Sequence, residues 1–144
     1  MRIALHQPEI AGNVGSVLRT AACFGAGVDL IEPMGFAWGA AALRRAGMDY
    51  ADGVDVVRHA DWGAFVAHRE GCRLVLATTR ADTALWDAAF ADNDVLLFGS
   101  ESAGVPEAVH AAAALRVRVP IRGRSLNLAV SVGIVLAEAV RQVR

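Results

Sequence analysis

Val95-Leu-Leu-Phe98-Gly99-Ser100-Glu101-Ser102-Ala103-Gly104-Val105-Pro106 is the stretch whose reading decides the fold. Four bulky apolar residues in a row lack the in–out alternation of a half-exposed strand. Such a strand is covered on both faces, as in a parallel sheet held between helix layers. Small residues and one carboxylate follow, and Pro106 stands where a first-turn proline starts a helix, here running to about Ala113.

The same alternation continues on both sides. Upstream, Arg2–Leu5 reads as a short strand leading into a turn through Pro8 and Gly12. Asn13 reads as an N-cap, and Val14, Val17, Leu18, Ala21 and Ala22 keep helical spacing until Gly25 and Gly27 end the helix. Val28–Ile31 is a strand, and Ala40–Ala46 a short helix carrying Arg44 and Arg45 with Gly47 as its stop. Val54–Val57 is a strand, Asp61 caps a helix over Trp62–Arg69, and Arg73–Thr78 is a strand before a polar stretch. Downstream, Leu115–Val119 is a strand stopped by Pro120, and a helix runs from Leu126 to about Val143. The expectation is an α/β domain with a mainly parallel sheet and helices on both faces. With 144 residues, no repeat and no composition shift, one domain over 1–144 without an extension is expected.

A content of 55% hydrophobic and 20% charged residues argues against disorder. Met1–Leu5 runs straight into His6-Gln7-Pro8-Glu9, which is not a signal peptide. The most apolar run, Leu126–Val140, is interrupted by Asn127, Ser131 and Glu138 and is too short to span a bilayer. A soluble, cytoplasmic protein is expected. Cys23 and Cys72 belong to no metal-binding cluster and read as reduced, mostly buried thiols. The four histidines (His6, His59, His68, His110) share no metal spacing and read as solvated or core-edge groups, so no metal is expected. A net charge of −1 rules out a blanket basic surface, although every one of the 14 basic residues is arginine. Any RNA contact must come from a few placed arginines or from a second subunit. The final helix is apolar nearly all round from Leu128 to Ala137. Either it is central within the monomer, or a second subunit covers the face turned away from the sheet.

Three loop segments can carry chemistry, all at places where open α/β sheets bind ligands. In Pro8–Arg19, Asn13 and Gly15 open a helix whose free N–H groups suit an anion, with Arg19 on nearly the same side. The plainer alternative is a cap and a solvated charge. In Phe98–Pro106, Gly99 and Gly104 allow close backbone approach, but no Walker or GxGxxG pattern is present. A ligand read through backbone groups, such as an adenosine, fits this loop, and Glu101 equally suits a cap on the following helix. In Val119–Leu128, Arg122 and Arg124 precede Ser125 and Asn127, which suits phosphate or ribose, or a solvated loop with Ser125 as cap.

The ordered set Asn13-x-Gly15-x-x-x-Arg19, Phe98-Gly-Ser-Glu-Ser-x-Gly-x-Pro106 and Val-Pro120…Arg124-Ser-Leu-Asn-Leu128 resembles the three motifs of the SpoU branch of SPOUT methyltransferases. The runs Ile31–Trp38 and Leu43–Tyr50, with the minimal length, make it similar to TrmL-type enzymes, which 2′-O-methylate tRNA cytidine or uridine at position 34. The resemblance implies a C-terminal trefoil knot, a homodimer and S-adenosylmethionine as cofactor. It assigns cofactor contacts to Ala77, Thr78, Gly99, Val119, Ser125 and Leu126. It gives catalytic roles to Arg19, Asn13, Glu101, Ser125 and Asn127, and RNA contacts to Arg19, Arg122 and Arg124. A guanidinium holds its proton above pH ~12, so Arg19 is better read as an electrostatic anchor than as a base. It is expected to act either in its own subunit or across the dimer.

Two departures stand out. The Ile121-Arg-Gly123 loop is short, and the last helix begins Asn-Leu-Ala-Val-Ser without a second asparagine. Both imply a tighter cofactor loop. The rival readings are a SpoU enzyme for ribosomal RNA or another tRNA position, and a non-catalytic RNA-binding protein of the same fold. Trp38, Trp62 and Trp86 suit base stacking or packing, with Trp38 the first to test as a stacking residue.

Overall fold

The computed structural model describes residues 1–39 and 53–144. The expected helix Ala40–Ala46 with Arg44, Arg45 and Gly47, and the run Leu43–Tyr50, lie outside the described residues. The order is β1 (Arg2–His6), α1 (Ala11–Phe24), β2 (Gly27–Ile31), β3 (Val56–His59), α2 (Trp62–His68), β4 (Leu74–Ala77) and β5 (Thr83–Ala84). A 3-10 turn, Leu85–Asp87, precedes β6 (Val95–Phe98), α3 (Glu107–Ala112), β7 (Leu115–Arg118) and α4 (Leu128–Val143).

Among the described residues seven strands form one sheet in the order β3-β2-β1-β6-β4-β7-β5, and each of their pairings is parallel. Each apolar strand sends alternate residues to opposite faces. Ile3, Leu5, Val28, Leu30, Val75, Leu96 and Phe98 join Val14, Val17 and Leu18 of α1 and Val132, Val135 and Leu136 of α4 in one core cluster. Ala4, Ile31, Leu76, Val95 and Leu97 belong to a second cluster with Phe65 of α2 and Val109 of α3. Fully apolar strands are therefore what this sandwich requires, and helices do cover both faces. β7 lies between β4 and β5, so the chain crosses β4 once on the way to β6 and again on the way back.

Asp29 is the exception on the second face. It is fully buried, and it accepts hydrogen bonds from Arg2 Nε (2.8 Å) and Arg69 Nη2 (2.7 Å) and contacts His59 Nε2 (2.8 Å). Burial pushes its carboxyl up, but the bonds from Arg69, Arg2 and His59 outweigh that and hold it below the usual carboxylate range. Asp94, also buried, is gripped by Arg73 through both carboxylate oxygens at 2.7 and 2.6 Å.

Several expectations need correction. α1 begins at Ala11 with Ile10 in the cap position, so Asn13 lies inside the first turn. Gly25 ends α1 in the left-handed region (φ 67), whereas Gly27 opens β2. The third strand starts at Val56, later than the Val54 expected. β5 and the 3-10 turn lie in what read as a polar stretch. Asn127, not Ser125, caps α4, accepting from Ala129 N at 2.8 Å and Val130 N at 3.3 Å. Asp61 caps α2 as expected, accepting from Ala64 N at 2.8 Å. Cys23 is exposed rather than buried, and of the two placements expected for the histidines, solvated or core-edge, His6, His59 and His110 take the buried one. Helix α4 is not equally covered. Leu128, Val132, Val135, Leu136 and Ala139 are buried on one stripe, and Val130, Ala137 and Arg141 are exposed on another.

Candidate active site

A cavity opens at the carboxyl ends of β4, β6 and β7, where the loops leaving these strands meet the start of α4. Leu76, Phe98, Val117 and Leu128 give it apolar walls, and Thr78, Ser100, Ser125 and Ser131 add hydroxyl-bearing residues. Its lining includes all six positions the resemblance assigns to the cofactor: Ala77, Thr78, Gly99, Val119, Ser125 and Leu126.

The loop after β6 is closed on itself. Ser100 N donates to Gly104 O and Gly104 N to Ser100 O, both at 3.0 Å. A Cβ on Gly99 would stand 2.4 Å from the carbonyl carbon of Gly104, and Gly104 itself has φ +66. Neither position tolerates a side chain without moving backbone, which explains both glycines.

Glu101 does not cap the following helix, which was the plainer alternative for it. Its carboxylate accepts from Glu9 N (2.8 Å), Ile10 N (3.2 Å) and Asn13 Nδ2 (2.9 Å). It thus binds the N-terminal end of α1, so the anion at that helix terminus is the protein's own carboxylate. Burial raises its pKa, but the bonds from Asn13 and from the backbone of Glu9 and Ile10 win, and the group is held below its ordinary value. Asn13 Oδ1 in turn accepts from Asn127 Nδ2 at 2.9 Å. One residue from each motif is therefore joined in a relay, Glu101 to Asn13 to Asn127, across sequence separations of 88 and 114 residues.

A second carboxylate completes the clasp, and the sequence reading passed over it. Glu9 accepts from Ser102 N at 3.1 Å and from the Ser102 hydroxyl, while Glu101 holds the Glu9 backbone. Glu9 and Ser102 both lie in segments the sequence singles out. Only the fold brings these two loops to bond each other across 93 residues.

The arginines stand apart from this cluster. Arg19 is exposed on the α1 stripe that also carries Gly12, Ser16 and Cys23, whereas Asn13 is buried. Six residues at 100° each place Arg19 about 120° round the helix from Asn13, so the expectation of one shared side fails. Arg19 does not line the cavity. Arg122 and Arg124 are exposed in the loop before α4. Among the described residues no cluster of histidine, cysteine and carboxylate groups could hold a metal ion, and no helix is long and apolar enough to cross a membrane.

Such a site offers an apolar slot, close backbone approach and ordered donors beside an ionised carboxylate that already accepts three hydrogen bonds. That set suits binding and orienting a nucleoside-like ligand rather than proton abstraction by Glu101.

Comparison with known proteins agrees with this geometry. The chain is 49% identical over 146 residues to a tRNA (cytidine(34)-2'-O)-methyltransferase of Ancylobacter novellus, covering 99% of this chain and 92% of the relative. A solved structure concerned with the 2-OH methylation of C/U34 on tRNA matches with a TM-score of 0.92 at 43% identity, over 98% of this chain and 94% of that one. The SpoU methyltransferase AviRb of Streptomyces viridochromogenes, in complex with the cofactor AdoMet, matches with a TM-score of 0.88 at 27% identity, over 99% of this chain and 57% of its own. The family model described as the SpoU rRNA Methylase family matches residues 1–137. The chain belongs to the SpoU methylase family.

Proposed function

We propose that this chain moves a methyl group from S-adenosylmethionine to the ribose 2′-oxygen of nucleotide 34, the wobble position, of a tRNA. One observation carries the reading: the loops after β4, β6 and β7 converge on a single cavity, in a chain 49% identical over 146 residues to a tRNA (cytidine(34)-2'-O)-methyltransferase. The cavity suits the cofactor. Leu76, Phe98 and Leu128 offer apolar surface for an adenine ring, and Gly99 leaves the backbone approachable. Thr78, Ser125 and Ser131 offer hydroxyls for its polar parts.

When bound, S-adenosylmethionine supplies an electrophilic methyl on a sulfonium sulfur. The chain's residues then have to hold the ribose in line and lower the cost of charge on its 2′-oxygen. Glu101, ionised and already accepting three hydrogen bonds, is a positioning group and a poor base. Asn13 and Asn127 keep the three motifs in register, and Ser125 is an exposed hydroxyl-bearing residue of the cavity lining, open to the substrate. Arg19 acts as the electrostatic anchor at the reacting oxygen, and Arg122 and Arg124 grip neighbouring phosphates.

Because Arg19 lies outside its own cavity, the same proposal has it serving the cavity of a second copy in a homodimer. Ile10 and Val130, 53% and 49% exposed, support an interface at the paired N-terminal ends of α1 and α4. A trefoil knot in which the segment after β7 threads the preceding loops belongs to this reading. It is supported by the insertion of β7 between β4 and β5 and by the return of Val119, Ser125 and Leu126 to a cavity also lined by Ala77 and Thr78. So do a single catalytic domain over 1–144 and a cytoplasmic location.

The test is transfer of labelled methyl to bulk tRNA with wild type and Arg19→Ala, followed by mapping of the labelled nucleotide. Label at the 2′-oxygen of nucleotide 34 that is lost in Arg19→Ala supports the reading. Label on ribosomal RNA alone, as the family's description would suggest, overturns the tRNA assignment. Activity restored by mixing Arg19→Ala with Gly99→Val chains tests the shared site, since only a mixed dimer joins an intact cavity to an intact Arg19.

A further inference from the structure

The segment that follows β2 has no role in the site described so far. Along it Met34, Phe36 and Trp38 pack against the core while Pro33, Gly35 and Ala37 stay more open. Arg58, from the edge strand β3, lies over the Trp38 ring with its guanidinium carbon 5.6 Å from the ring centre. Glu32 holds it there, its Oε1 accepting from Arg58 Nε at 2.9 Å and also from Nη2. Glu32 is itself fixed, because its backbone N donates to His59 O at 3.0 Å. The result is a planar cation over an indole, its edge clamped by a carboxylate, and 45% of its side chain in solvent.

This assembly is coupled to the catalytic loops. Gly35 N donates to Pro8 O at 3.0 Å, and a Cβ on Gly35 would lie 2.7 Å from Glu9 O. Glu9 and Ile10 in turn hang from Glu101, which lines the cavity. β2 is two places and β3 three places from β6 in the sheet. At about 4.8 Å per strand the ends of β2 and β3, which carry the platform, stand roughly 10–14 Å from the end of β6 across the sheet.

We propose that Trp38 and Arg58, braced by Glu32, form a stacking platform for the base of an RNA nucleotide next to the methylated one. The inference rests on the tRNA reading above and adds a binding site to it. A base stacks on an arginine plane or an aromatic face whatever its identity, and RNA loops are read this way. A chain with net charge −1 cannot hold RNA by a general positive field, so discrete contacts of this kind have to contribute. Stacking needs the guanidinium plane as well as its charge, which lysine does not supply.

The experiment compares wild type, Arg58→Lys, Arg58→Gln and Trp38→Leu in direct binding of an unmodified tRNA transcript. Methyl-transfer kinetics, S-adenosylmethionine binding and melting temperature are measured beside it. The Arg58–Glu32 pair is exposed and contributes little to stability, so the Arg58 variants are expected to fold. The expected result is tRNA affinity weakened about tenfold in Arg58→Lys as well as in Arg58→Gln and Trp38→Leu. The KM for tRNA should rise in step, with kcat, cofactor affinity and melting temperature of the Arg58 variants unchanged. Full affinity in Arg58→Lys overturns the platform, because charge alone would then suffice. A parallel loss of cofactor affinity and melting temperature in the Arg58 variants also overturns it, in favour of a structural role. If wild type methylates nucleotide 34 and all variants bind tRNA normally, the platform fails and the tRNA reading stands. If wild type binds no tRNA, both fail.

Discussion

Replacing Asn13 by alanine cuts the relay that joins the three motifs. Asn13 Nδ2 donates to the Glu101 carboxylate and its Oδ1 accepts from Asn127 Nδ2, each at 2.9 Å. A hydrogen bond to an ionised group contributes about 1.5–3 kcal/mol and a neutral one about 1. Glu101 keeps the N–H groups of Glu9 and Ile10, so the low end applies to the first bond. Asn127 keeps its cap on α4 through Oδ1, leaving only its amide nitrogen short of a partner. The expected cost is about 2–3 kcal/mol, and at roughly 3 °C per kcal/mol for a chain this size the melting temperature should fall by roughly 6–9 °C. The cost should also depend on pH. Glu101 is held below its ordinary pKa, so its bonds contribute stability that is full above the unfolded value of about 4.3 and lost as pH falls through the folded one. Removing Asn13 removes part of that depression, so the gap between wild type and variant should be widest near neutrality and shrink below about pH 4. Urea unfolding at a series of pH values measures this directly. A cost under about 0.5 kcal/mol, or a gap constant from pH 7 to pH 3, would refute the relay as an energetic link.

Asp29→Ala should destabilise the fold by about 3–5 kcal/mol, since it strips a buried carboxylate from Arg2, Arg69 and His59 together. Because the folded pKa of Asp29 is depressed, its contribution is present above the unfolded value of about 3.9 and fades as pH falls through the folded one. Asp29→Asn should therefore unfold in acid with a shallower pH dependence than wild type, as followed by circular dichroism. Gly99→Ala forces a Cβ to within 2.4 Å of the Gly104 backbone, so cofactor affinity by calorimetry should drop at least tenfold while the far-ultraviolet spectrum is retained. Unchanged affinity would mean the loop is softer than its two 3.0 Å bonds suggest. Ser102→Ala removes the hydroxyl bound to Glu9 but keeps the backbone bond, and should weaken cofactor binding by a few-fold, with Ser102→Thr restoring it.

Most of the elements could be read from the sequence because a parallel sheet buries its strands on both faces, leaving runs such as Val95–Phe98 that nothing else explains. β5 escaped because it has two residues and one neighbour, so no periodicity marks it. Strand order escaped for a different reason: every strand offers the same edge of backbone N–H and C=O groups, and nothing local says that β7 slots between β4 and β5. At the site, the residues of the relay could be named but not connected. Asn13 looked like a cap because its side chain suits one, yet it lies inside the first turn, and Glu101, from more than 90 positions away, holds the N–H groups of Glu9 and Ile10 just before α1. Arg19 was assigned to the face of Asn13 by proximity in the chain, and the helical rotation puts it elsewhere.

That displacement of Arg19 bears on how RNA is bound. Helix N-termini are ready anion sites, and α1 opens beside the cavity, so a substrate phosphate would ordinarily be expected there. Glu101 occupies the position instead, and its negative charge repels phosphate from the same spot. On the proposed reading the site would fix a neutral ribose beside a carboxylate, and phosphate recognition would fall to arginines on exposed surfaces, Arg19 on α1 and Arg122 and Arg124 before α4. Separating the two tasks keeps the dielectric low and the geometry rigid where the methyl moves. It leaves charge where water screens it and the substrate can arrive in stages.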